Sequence, residues 1–152
     1  FGEEIETQII DVSTLDLSGG EDGDLEESNK EFIETISRAD GYIIVSPEYN
    51  HSFPGSLKSA LDICYEEYNK KAVGFVGVSS GAIGGARMIE HLVGVVKTLG
   101  LKTIRKDLYF PIIQDAFNED GTIKEKRMEE KVQSFTKDLL WLTQALKSAR
   151  QD

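Results

Sequence analysis

At 152 residues, with 39% hydrophobic and 29% charged side chains, the chain has the size and balance of one soluble domain with an ordinary core. A net charge of −10 argues against nucleic acid as a partner, because phosphate binding is driven by Lys and Arg displacing counterions. No apolar run nears the roughly 20 residues of a membrane helix, and Phe1 to Ile5 lacks the basic and apolar segments of a secretory leader.

Strand-like and helix-like segments alternate, which predicts parallel βα units in one domain over residues 1–152. Ile5-Glu-Thr-Gln-Ile-Ile-Asp-Val12 is β-branched and apolar toward its end, and is expected to be a strand. Ser18 to Asp24 reads as a polar loop. Asp24 and Glu27 have capping-box spacing, predicting a helix to about Ala39 with Leu25, Phe32, Ile33 and Ile36 on one face. Asp40-Gly41 ends that helix, and Tyr42-Ile-Ile-Val45 is expected as a buried strand.

After the loop Ser46 to Gly55, a helix is predicted with Leu57, Ala60, Leu61 and Cys64 toward the core. Lys71 to Val78 reads as a strand, Ser79 to Gly85 as a loop, and Ala86 to about Leu99 as a helix closed by Gly100. Leu92, Val95 and Val96 lie around much of that helix and fit burial on more than one side. Thr103 to Phe110 is predicted as the last strand and Asn118 to Gly121 as a turn. Met128, Val132, Phe135, Leu139, Leu142 and Leu146 then recur at alternating four- and three-residue steps, the stripe of a long amphipathic helix. Trp141 and its neighbouring leucines are expected in the core.

In an open parallel sheet, ligands bind outside the carboxyl ends of the strands. The loops after Val45 and Val78 both sit there, and both enter a helix, so backbone amides near a helix N-terminus face a ligand. A planar heterocycle with alternating donors and acceptors suits such a place.

The run Ser46-Pro-Glu-Tyr-Asn-His-Ser-Phe-Pro-Gly55, continued by Ser56-Leu-Lys-Ser-Ala-Leu-Asp62, resembles the NADPH-dependent FMN reductase family of quinone, azo-dye and chromate reductases. Ser79-Ser-Gly-Ala-Ile-Gly-Gly-Ala-Arg87 is similar to that family's second flavin loop, and Asp115 to Gly121 to its segment before the last helix. The resemblance implies a flavodoxin-like, doubly wound parallel sheet in a three-layer α/β/α arrangement. It implies FMN and NADPH as cofactors, with Pro47, Glu48, Tyr49 and Asn50 at the isoalloxazine edge, largely through main chain. Ser80, Gly81 and Gly84 would approach the other side of the ring. Hydride would pass from NADPH to flavin and electrons onward to a quinone, azo, metal-oxyanion or free-flavin acceptor, with no protein acid or base. A cytoplasmic homodimer or homotetramer is implied as well.

The family's usual first strand and Gly-Ser-x-Arg phosphate loop are missing from this chain, so a gap is expected between its first two strands. An alternative is a flavodoxin-like electron carrier that binds FMN without direct NADPH turnover; the −10 charge suits it and the Ser46–Gly55 loop does not. Cys64 on an apolar face reads as a buried, inert thiol, compatible with a reducing compartment. His51 reads equally as a substrate-side or a surface residue, and His91 as structural or exposed. Arg87 reads as an exposed helical arginine or as a contact for a nicotinamide nucleotide phosphate. No Cys/His spacing of a zinc site is present.

Overall fold

The structure is a computed structural model that describes residues 5–18 and 28–151. Along the chain run α1 (Lys30–Arg38), β1 (Gly41–Pro47), α2 (Gly55–Asp62), β2 (Ala72–Val78), α3 (Ala86–Thr98), β3 (Lys102–Thr103), β4 (Leu108–Phe110) and α4 (Lys126–Gln151). The strands are parallel. β1 pairs with β2 from Gly41–Ala72 through Pro47–Val78. On its other side β2 pairs first with β3 and then with β4.

β2 is buried from Ala72 to Gly77, which is why it reads as a continuous apolar run rather than an alternating one. Its side chains alternate between two cores. Val73 and Phe75 join Phe32 and Ile36 of α1, Leu57 and Leu61 of α2, and Met88, Leu92 and Val96 of α3. Ala72 and Val76 join Leu108, Phe110 and the α4 residues Met128, Phe135 and Leu139. The layers are therefore helix, sheet and helix. Gly74 has no side chain because the Phe135 ring lies on it, 2.5 Å from where a Cβ would stand.

Lys71, at the foot of β2, is buried. Its Nζ donates to the carbonyls of Ile36 and Ser37, both at 2.8 Å, and so closes the C-terminal end of α1. Desolvation, reinforced by the Arg150 charge, holds this ammonium below the usual lysine range. Arg150 and Lys147 of α4 clamp Asp40 at 2.9 and 2.7 Å, fixing the end of α4 to the start of β1.

The structure differs from the sequence reading in five places, the first at Tyr42–Val45, where the strand forms but Ile43 and Val45 are 51% and 63% exposed rather than buried. Ile5–Val12 is not a strand: it is irregular, Ile9 is 96% exposed, and the chain enters a short 3-10 turn at Val12–Thr14. Composition favours extension there, yet a strand exists only against a partner, and no described strand lies beside it. The predicted Thr103–Phe110 strand is two pieces, because Arg105 to Asp107 leave the ladder between Ile104 and Leu108. Trp141 is 65% exposed, being about one helical step off the apolar stripe. Leu92 and Val96 are spent on the protein's own core, leaving Val93 as the exposed apolar residue of that stretch.

The proposed capping box at Asp24 and Glu27, and Leu25, lie outside the described residues. Among the described residues no strand pairs with the outer edge of β1, and Ile43 and Val45 are 51% and 63% exposed beside it. No described helix is long and apolar enough to cross a membrane.

Candidate active site at the carboxyl ends of the strands

The register that sets Pro47 opposite Val78 places the loops after β1 and β2 side by side. The first loop begins where the Glu48 amide donates to the Val78 carbonyl at 3.3 Å. Tyr49 and Ser52 then exchange amide hydrogen bonds at 2.8 and 2.9 Å, closing a tight turn. Its corner residues, Asn50 (φ 49) and His51 (φ 68), are both left-handed, a conformation asparagine tolerates better than most residues. Their amides donate to no described protein group, and Tyr49, Asn50 and His51 are all exposed. The loop ends at Pro54, whose carbonyl accepts from Leu57 at the start of α2.

The second loop is braced more heavily. Ser79 Oγ donates to the Gly81 carbonyl at 2.9 Å and accepts from the Gly84 amide at 3.0 Å. The Ile112 and Ile113 amides donate to the Gly81 and Ser79 carbonyls, tying the loop to the segment after β4. Gly84 (φ 65) and Gly85 (φ 80) turn the chain into α3 in left-handed conformation. Both press on strands: a Cβ at Gly84 would meet Tyr109 and Phe110, and one at Gly85 would meet Gly77. Between these anchors, residues 80–83 are exposed and their amides donate to no described group.

One contact joins the two loops. Glu48, 8% exposed at its side chain, accepts from Arg87 Nε at 2.7 Å and Nη2 at 2.6 Å, both on Oε1. Its Oε2 is buried with no hydrogen-bond partner. The segment after β4 adds apolar surface at the same rim: Ile112 and Phe117 are 44% and 39% exposed, and Phe117 stacks on Phe110 with centroids 5.7 Å apart. Below that rim, desolvation raises the Asp107 carboxyl above its ordinary value, and the Tyr109 hydroxyl donates to it at 3.2 Å.

Each predicted site residue therefore has a definite place. Pro47 ends β1, and Glu48 faces inward to Arg87. Tyr49 and Asn50 form the exposed turn, while Ser80 and Gly81 form the exposed tip of the second loop. Gly84 is buried against β4, so only its backbone is available to a ligand. Cys64 is a buried thiol and His91 is exposed. Sequence reasoning missed the Glu48–Arg87 contact and the Ile112–Phe117 wall. No local pattern signals the first, since Arg87 lies in α3 beyond the whole second loop while Glu48 directly follows β1.

Two features leave the backbone of this rim open to a ligand. Unpaired amides stand on both loops at Asn50, His51 and residues 80–83, and the space a Cβ would occupy at Gly81 is open to 4 Å. Among the described residues no cluster of three His, Cys, Asp or Glu could hold a metal ion.

Residues 2–115 match the family model for NADPH-dependent FMN reductase. A 2-hydroxy-1,4-benzoquinone reductase from a Burkholderia species is 33% identical over 134 residues, covering 84% of this chain and 73% of the relative. A quinone reductase of Escherichia coli is 33% identical over 102 residues, covering 64% of this chain and 54% of the relative. The chain thus spans about half the length of that quinone reductase. Among solved structures, the flavoenzyme FerB of Paracoccus denitrificans, described as an NAD(P)H:acceptor oxidoreductase, superposes with a TM-score of 0.70 at 22% identity. That superposition covers 88% of this chain and 79% of FerB. This likeness supports the flavodoxin-like fold.

Proposed function

Since the chain belongs to the NADPH-dependent FMN reductase family, we propose that it is an FMN-dependent NAD(P)H oxidoreductase that passes electrons to a quinone-type acceptor. Azo, metal-oxyanion and free-flavin acceptors fall within the same reading. The observation that carries it is the pair of hydrogen-bonded loops at the carboxyl rim, each offering unpaired amides and joined through Glu48 and Arg87.

In this reading FMN supplies the hydride and electron chemistry, and the protein binds, orients and shields it. Pro47, Glu48, Tyr49 and Asn50 hold one edge of the ring, with the Asn50 and His51 amides as donors. Ser80, Gly81 and the Gly84 backbone hold the other side, and the exposed face of Tyr49 gives an aromatic surface for a second ring. No side chain is assigned as acid or base. The acceptor is a small molecule, and the setting is cytoplasmic, a reading that the single, buried Cys64 supports. Association as a homodimer or homotetramer through the helices after the two loops belongs to the same reading, with Val93 of α3 exposed for it.

The test is direct. Protein loaded with FMN should oxidise NADPH when benzoquinone is added and without any other reductase. An FMN-loaded sample that takes electrons only from an added reductase would instead identify a flavodoxin-like carrier, which the −10 charge favours.

A further inference from the structure

Arg87 is the only Lys or Arg within segments 46–55 and 79–87, so it is the sole full positive charge on either loop. It stands in the first turn of α3, where open backbone amides and the helix dipole already favour an anion. An arginine on an exposed first turn ordinarily samples many rotamers, but this one does not have that freedom. Glu48 is buried, only Oε1 is paired, Oε2 has no partner, and Arg87 supplies both donors that Oε1 receives. If the guanidinium swung into solvent, a buried carboxylate would be left without compensation, which is strongly unfavourable.

The anchoring uses one edge of the guanidinium, Nε with Nη2. The end-on edge is unspent: Nη1 donates to no described protein group, Nη2 has a second N–H, and the Arg87 side chain remains 43% exposed. A planar fork with a free edge, fixed at a helix N-terminus between two ring-binding loops, is shaped for bidentate recognition of phosphate. Quinone acceptors carry no such anion, whereas the reducing dinucleotide does. Against a net charge of −10 a local cation is also what a polyanionic ligand requires.

We propose that Arg87 binds a phosphate of the nicotinamide dinucleotide and that Glu48 is the positioning residue that holds it there. The proposal rests on the NAD(P)H oxidoreductase reading. It separates two roles within one ion pair: Glu48 faces the protein, Arg87 faces the ligand.

The probe is NADP+, which binds without reacting, titrated calorimetrically into FMN-loaded protein at several salt concentrations. Arg87→Met should weaken binding about tenfold or more and flatten its salt dependence, as loss of one charge-assisted contact requires. Arg87→Lys keeps the charge but not the fork and should fall between. Because Arg87→Met alone strands the Glu48 carboxylate, the double variant Glu48→Gln/Arg87→Met removes both charges. It should unfold in urea near the wild-type midpoint while showing the same loss of NADP+. With NADPH and NADH as substrates the loss should appear in KM rather than kcat. A loss confined to NADPH assigns the 2′-phosphate, and a loss with both assigns the pyrophosphate; either supports the proposal. Binding of NADP+ by both Met variants within about twofold of wild type, with unchanged salt dependence, overturns it. Wild-type protein that holds FMN yet neither binds NADP+ nor oxidises NADPH overturns the functional reading itself.

Discussion

Gly77→Ala isolates how the second loop is held. A Cβ at residue 77 would stand 2.5 Å from the Gly84 carbonyl oxygen and 3.1 Å from the carbonyl carbon and oxygen of Gly85. An ordinary carbon–oxygen contact is about 3.3 Å or more, so one neighbour must retreat by roughly 0.8 Å. All three are backbone atoms, and no side-chain rotation relieves them. β2 cannot retreat either, since Gly77 pairs with Ser46 on one side and Tyr109 on the other. The loop therefore moves, breaking its hydrogen bonds to Ser79 and the segment after β4. Overpacking of this kind costs about 1–3 kcal/mol. With a urea slope of about 2 kcal/mol per molar, the unfolding midpoint should drop by about 1 M, and FMN affinity should fall with it. Gly55→Ala is the control: nothing lies within 4 Å of its Cβ and it opens α2, so its midpoint should hold or rise. A Gly77→Ala midpoint within about 0.2 M of wild type, with FMN binding intact, would refute the reasoning.

Ser79→Ala removes the hydroxyl that braces Gly81 and Gly84 from within the loop. FMN affinity, read by quenching of flavin fluorescence, should weaken about five- to tenfold, with the urea midpoint lowered by less than for Gly77→Ala. Alkali should destabilise the protein through buried phenols. Desolvation raises Tyr68 and Tyr42 well above the ordinary value of 10.0, so the unfolded chain loses those protons first. Stability is then whole below pH 10 and falls beyond it, by up to about 1.4 kcal/mol per pH unit for Tyr68; Tyr68→Phe should flatten that decline in midpoints measured from pH 9 to 11.5. Asp40→Asn keeps the shape but removes the charge that Lys147 and Arg150 share. It should cost about 0.5–1.5 kcal/mol at low salt, less at high salt, and speed amide exchange in the last turn of α4.

Legibility in the sequence followed the range of the forces involved. Helix stripes are local, so Phe32 and Ile36 of α1 and Phe135 and Leu139 of α4 were recoverable from spacing alone. β2 was recoverable because burial on both faces leaves a continuous apolar run. Ile5–Val12 was not, since extension is completed by a neighbour and none of the described strands provides one. The break between Ile104 and Leu108 was invisible because both ends face the same core while Arg105 to Asp107 swing out between them. At the site, the loops and their glycines were legible as motifs, but the reasons for those glycines were not. Gly84 faces β4 rather than open space, and only the folded chain shows it. Glu48 and Arg87 lie 39 positions apart and meet through sheet register, which no local pattern records.

The glycine contact of Gly77 with Gly84 and Gly85 also sets where the protein can change. All three positions are closed: a side chain on Gly77 strikes the backbone of Gly84 and Gly85, one on Gly85 strikes that of Gly77, and one on Gly84 strikes Tyr109 and the backbone of Phe110 and Pro111. Residues 80–83 lie between the fixed ends and are exposed, with their amides unspent. Libraries confined to these four positions would explore ligand preference with little loss of folded clones, whereas libraries reaching Gly84 or Gly85 would be dominated by failures. The same short span is thus the most evolvable part of the rim, bounded by some of its least evolvable residues.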